Sequence, residues 1–249
     1  MITDLKMGEI EKPNHFAKTS PLIYARVAGL LYLLLVPLGF LGILSVPSTV
    51  IVPGNAATTT QNIIAFESGT RLSILAAFAV QIVNILVVLF LYKLFKPVNK
   101  DMASLMVIFL LVAVPITILN ELNNLAILLL ARGADNLKLF STNQVQALVP
   151  LFLQLHASGI KIAGIFWGLW LFPMGYLVFK SGFLPRFLGI LLMMGCFGYL
   201  VDSVTFFLFP NFGVTVSQFT FIGEILLPLW LLIKGVDVEQ WKKRSLEST

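Results

Sequence analysis

Five ionisable side chains stand inside long apolar stretches of this 249-residue sequence: Glu121, His156, Lys161, Asp202 and Glu224. An ionisable group at the centre of a membrane helix costs at least about 2.5 to 3.5 kcal/mol on insertion scales, so each is a functional-site candidate with a partner to be found. A carboxyl in apolar surroundings keeps its proton more readily and can act as a general acid while the wall around it excludes water. Asp202 and Glu224 are the two candidates for that chemistry. Asn120, Glu121 and Asn124 share one helical face and, with His156 and Lys161, make a candidate ligand-binding set.

Each residue also has a plainer reading. Glu121, His156 and Lys161 read equally as wetted interfacial residues. Glu67 and Arg71, four apart, suit a staple at a helix entrance. Gln81 and Asn84, three apart, suit interhelical hydrogen bonds.

The elements that carry these residues follow from composition. The chain is 58% hydrophobic and only 12% charged, with a mean hydropathy of +0.92, where a soluble domain would have about a quarter charged residues. This is the composition of an integral membrane protein. Uninterrupted apolar runs of about 18 to 25 residues, without the alternation of a barrel, predict an all-α bundle. Six spans are expected: about 24–46, 72–95, 102–130, 146–180, 187–209 and 217–233. A cytoplasmic arm over 1–20 precedes the membrane domain of 21–235, and a basic cytoplasmic tail of 236–249 follows it.

Basic residues set the expected orientation. With both termini cytoplasmic, 13 lysines and arginines fall inside and three, Arg71, Arg132 and Lys138, outside; Lys161 completes the 17. The net charge of +5 is therefore a topology signal and not a nucleic-acid footprint. A rise of 1.5 Å per residue then places Lys161 about 28 Å and His156 about 36 Å from Lys180 at the inner face. Glu121 comes out about 28 Å, Asp202 about 24 Å and Glu224 about 15 Å from the inner face by the same count. The polar groups cluster in the outer half, which predicts an outward-facing cavity with an apolar floor. Lys161 is expected to face the bundle and pair with Asp202 or Glu121. His156, about 140° away around the helix, is expected at the mouth, so the two should not share one spot.

With one cysteine, Cys196, two histidines and no phosphate-cradling loop, the sequence predicts neither a metal nor another cofactor. Several motifs stand out along the chain: Ile51-Val52-Pro53-Gly54-Asn55-Ala56-Ala57, Lys96-Pro97-Val98-Asn99, Leu155-His156-Ala157-Ser158-Gly159, Ser181-Gly182-Phe183-Leu184-Pro185-Arg186-Phe187-Leu188-Gly189 and Gly198-Tyr199-Leu200-Val201-Asp202-Ser203. Together they resemble a family of small bacterial multi-pass membrane proteins known only as a domain of unknown function, family 4386. The resemblance spans about residues 26–233, includes His156 and Asp202, and implies a six-helix fold in a bacterial inner membrane without implying an activity.

Three functional expectations follow. The first is a non-enzymatic protein binding a small lipophilic or amphipathic molecule in the outward-facing cavity. The second is an intramembrane acid-catalysed isomerase or cyclase acting on an isoprenoid or lipid, with Asp202 or Glu224 as the acid. The third, a proton-coupled transporter, is disfavoured by the apolar inner half. The expected partners are the lipid bilayer and such a molecule, with no nucleic acid; the oligomeric state is open.

Overall fold

Ser20 and Pro21 open the first helix. The Ser20 hydroxyl accepts from the Leu22 amide at 3.3 Å and proline occupies the first turn, where its missing N–H costs nothing. In the computed structural model, which describes residues 20–133, 140–209 and 213–247, α1 therefore runs over Pro21–Gly39, starting three residues before the expected Tyr24. The expected arm up to residue 19, Lys138 and the turn at 210–212 lie outside the described residues. Pro37 disturbs the ladder as expected, and the chain passes through a π-helical turn, Phe40–Leu44, into α2, Ser45–Val50.

A turn through Gly54, at φ 76°, leads to Asn55, whose side chain accepts from the Thr58 amide at 2.9 Å and caps α3, Ala56–Ala65. The long helices follow: α4, Glu67–Phe95; α5, Lys100–Arg132; α6, Thr142–Ser181; and α7, Arg186–Leu208. The last segment is interrupted, with α8 over Ser217–Thr220 and α9 over Ile222–Ile233. All regular structure among the described residues is helical.

Five helices are long and apolar enough to cross a bilayer, and the bent C-terminal segment brings the number to as many as six. The molecule is an all-α membrane bundle. Its outward faces carry large exposed apolar side chains such as Leu30, Leu75, Ile82, Leu119 and Phe197, as expected where lipid is the solvent. A large core joins α1, α4, α5, α6, α7 and α9 through residues such as Leu91, Leu110, Leu171, Met174, Leu192 and Leu227. A smaller one, with Val50, Ile63, Ile127 and Val149, sits where α2 and α3 close over the ends of α4, α5 and α6.

The expected basic tail is an ordered helix, α10, Val238–Glu247, turned by 102° from the preceding segment. It docks on the bundle, with the Trp241 indole donating to the Leu94 carbonyl at 2.8 Å and Arg244 to that of Lys180 at 3.3 Å.

Candidate functional site

The polar residues fall into three groups, not one. The most enclosed lies between α5 and α6. Glu121 is 1% exposed, Asn124 3% and His156 6%. The imidazole Nε2 lies 3.2 Å from Glu121 Oε1 and 3.1 Å from Asn124 Nδ2, and Asn124 donates to Glu121 Oε2 at 2.7 Å. Each of these buried polar groups thus finds a hydrogen-bonding partner on the facing helix, which is what allows them to be buried. One turn away, Asn120 donates to the backbone carbonyl of His156 at 2.9 Å. That reach depends on Gly159, because a Cβ there would lie 2.0 Å from Asn120 Oδ1. The glycine of the Leu-His-Ala-Ser-Gly motif thus lets α5 and α6 close around the pair.

This reverses the expected division between His156 and Lys161. His156 faces inward and takes Glu121, and no carboxylate among the described residues forms an ion pair with Lys161. Nor are the two residues kept apart. Both line a cavity of about 200 Å³ with Asn124, Ile43, Val46 and Ile51, since the long, flexible lysine stem can turn back along its helix.

Asp202 forms the second group. Its Oδ1 accepts from the Val216 amide at 2.5 Å and its Oδ2 from the Ser217 amide at 3.0 Å. Both oxygens are thus engaged in tying the segment after α7 back onto that helix. Asp202 shares a cavity of about 240 Å³ with Lys161, Thr205, Phe206 and Phe209, so the two groups expected to pair meet across a space and not in a bond.

The third group surrounds Glu224. Its Oε2 accepts from the Tyr32 hydroxyl at 3.3 Å, while Oε1 is buried without a hydrogen-bond partner. It faces a cavity of about 250 Å³ walled by Tyr32, Trp167, Trp170, Tyr199 and Phe221, with Asn84, Val80 and Leu110 opposite. The Trp167 indole N–H is also buried and unpartnered, and the Tyr32 and Trp170 rings lie 5.7 Å apart. Gly29 positions this wall. A Cβ there would meet the Pro228 carbonyl at 2.7 Å, so its absence lets α1 and α9 touch one turn below the Tyr32 to Glu224 contact. Val36 and Phe221, which also line the cavity, are 53% and 45% exposed.

Asn84 lies in this wall, so the cavity floor is not the apolar one expected. Gln81, read as a hydrogen-bonding residue, is buried with neither side-chain polar atom partnered. Tyr32, Trp167, Trp170 and Tyr199 were not among the expected site residues. Their signal was depth, because tyrosine and tryptophan favour the membrane interfaces and these four fall well inside by the 1.5 Å count. The Glu67 to Arg71 pair is present at 2.8 Å, and Arg132 from the end of α5 joins the same carboxylate. Among the described residues no three of His, Cys, Asp and Glu gather in a way that holds a metal ion.

The three cavities share lining residues. Lys161 lines both the Asp202 and the His156 spaces, and Ile43, in the π-helical turn, lines both the His156 and the Glu224 spaces. Such turns frequently mark functional places in helices.

Comparison with known proteins now assigns the fold to a family. The family model described as "Domain of unknown function (DUF4386)" matches residues 27–235. This chain belongs to the DUF4386 family. A relative, an "Uncharacterized protein" of Archaeoglobus fulgidus, is 30% identical over 168 residues, covering 67% of this chain and 85% of the relative. No solved structure matches the chain significantly. The DUF4386 match runs from α1 to just beyond α9 and so takes in all three polar groups.

Proposed function

We propose that this protein, seated in a prokaryotic plasma membrane with both termini in the cytoplasm, binds a small amphipathic molecule in the cavity at Glu224. One observation carries the reading: a buried carboxylate oxygen without a partner faces a space walled, apart from Asn84, by aromatic and apolar residues. An unsatisfied buried acceptor costs about 1 to 3 kcal/mol, and a ligand that reaches it recovers that cost. In this reading a molecule dissolved in the leaflet enters past the exposed Val36 and Phe221, so the entrance lies toward lipid and not only toward the outer face.

Within this reading Asp202, His156, Glu121, Asn120 and Asn124 support the site. Asp202 spends both oxygens on backbone amides and Glu121 spends its own on His156 and Asn124. Lys161, free of an ion pair among the described residues, lies between the outer cavities.

Glu224 favours a second reading through the same unpartnered oxygen. A protonated carboxyl there is poised to deliver its proton to an olefin or epoxide held against the aromatic wall. Turnover of a bound isoprenoid that stops in Glu224→Gln would establish it over simple binding.

The test is mass spectrometry of molecules that co-purify with the protein in lipid nanodiscs. Gly39 lines the cavity, and a Cβ on it meets nothing within 4 Å, so Gly39→Phe fills the space without a backbone clash. Wild type should carry a small molecule that Gly39→Phe loses at unchanged helicity. Equal recovery from both proteins would refute the reading.

A further inference from the structure

The chemistry of the Glu224 wall selects the sign of the ligand's charge. Four aromatic side chains, Tyr32, Trp167, Trp170 and Tyr199, line the same cavity as the carboxylate, and aromatic ring faces attract cations, most strongly when water is excluded. Among the described residues no lysine, arginine or histidine forms an ion pair with Glu224. The hydroxyl of Tyr32 reaches Oε2, and Oε1 has nothing. A part-buried carboxylate served by phenol hydroxyls alone, Tyr32 at 3.3 Å and Tyr199 beside it, lacks a counter-charge, and no neighbouring element among the described residues supplies one.

Resting on the proposal that this cavity is a ligand site, we infer that its ligand is an amphipathic organic cation, an amine or quaternary ammonium bearing an apolar chain. The positive head sits at Glu224 Oε1 between the indole and phenol faces. The chain lies against Leu35, Val80, Leu110 and Ile225, which complete the wall. An anionic amphiphile meets a like charge at the same point. A neutral one gains the apolar contacts and leaves the carboxylate uncompensated.

Three probes of equal chain length separate these outcomes: octyltrimethylammonium, octanol and octyl sulfate. Each is titrated into the full-length protein in phosphatidylcholine nanodiscs, with empty nanodiscs as the partition blank and tryptophan fluorescence as the readout. Wild type should bind octyltrimethylammonium saturably and at least about tenfold more tightly than octanol, a factor corresponding to about 1.4 kcal/mol, and should not bind octyl sulfate. Glu224→Gln should bring the ammonium and the alcohol to equal affinity. Equal affinities on wild type, or a preference that persists in Glu224→Gln, would overturn the cation assignment and leave the cavity reading standing. Absence of saturable binding by all three would overturn the cavity reading itself. The wild-type ranking is decisive without any variant, so a misfolded Glu224→Gln does not weaken the test.

Discussion

Glu121 on α5 and His156 on α6 meet at 3.2 Å with almost no exposure, and Asn124 contacts both. Two buried ionisable groups from different helices thus meet in one contact, and the bundle depends on both members being present. Removing one partner of such a pair typically costs about 3 to 5 kcal/mol, whereas replacing both with apolar residues is often nearly neutral. Glu121→Leu and His156→Leu should each lower the melting midpoint in detergent sharply, and the double variant should recover most of the loss. Additive losses in the double variant would show that the two residues act independently.

Gly159 gives a second test of the same interface. A methyl group there lands 2.0 Å from Asn120 Oδ1, and overpacking of this kind costs about 1 to 3 kcal/mol. Gly159→Ala should be destabilised by that amount, and Asn120→Ala added to it should restore much of the stability by opening the space. Thermal unfolding followed by intrinsic fluorescence reads both steps.

Asp202 is expected to act through the chain it holds. Asp202→Ala removes the acceptors of the part-buried Val216 and Ser217 amides, at about 0.5 to 1.5 kcal/mol for each lost hydrogen bond. Limited proteolysis should then cut between α7 and α9 faster than in wild type, while Asp202→Asn, which keeps one acceptor oxygen, should fall between the two. An unchanged cleavage rate in Asp202→Ala would remove this role.

Gly29 links packing to the cavity. Gly29→Ala pushes against the Pro228 carbonyl and Leu232 amide of the helix that carries Glu224, so it should separate Tyr32 from Glu224. The expected result is at least a tenfold loss of amphiphile affinity, measured by tryptophan fluorescence in nanodiscs, from a site with no direct ligand contact. Affinity within twofold of wild type would show that the α1 to α9 contact does not shape the cavity.

The helices were legible because their signals are local: long apolar runs, Asn55 at a helix start, and the turn at Gly182 after Lys180. The ionisable residues were legible too, since a charge in an apolar run stands out. Their partners were not. Counting 1.5 Å per residue fixed depth but not rotation, so His156 and Lys161 exchanged their expected roles. Depth put Glu121 level with Lys161, yet the contact that forms is with His156, because Asn120 and Gly159 set how α5 and α6 face each other. The aromatic wall escaped because it draws Tyr32, Trp167, Trp170 and Tyr199 from three helices far apart in the chain. Tyrosine and tryptophan placed deep between the interfaces were its one visible trace.

The most direct measurement of the central claim is photolabelling of the nanodisc-embedded protein with a short alkylamine carrying a diazirine, with the attachment points mapped by mass spectrometry. Binding in the Glu224 cavity predicts labels concentrated around Tyr32 to Ile43, Trp167 to Trp170 and Phe221 to Ile225, and suppressed by excess octyltrimethylammonium. Labels spread over lipid-facing residues such as Leu30, Leu75 and Phe197, and unaffected by the competitor, would contradict it.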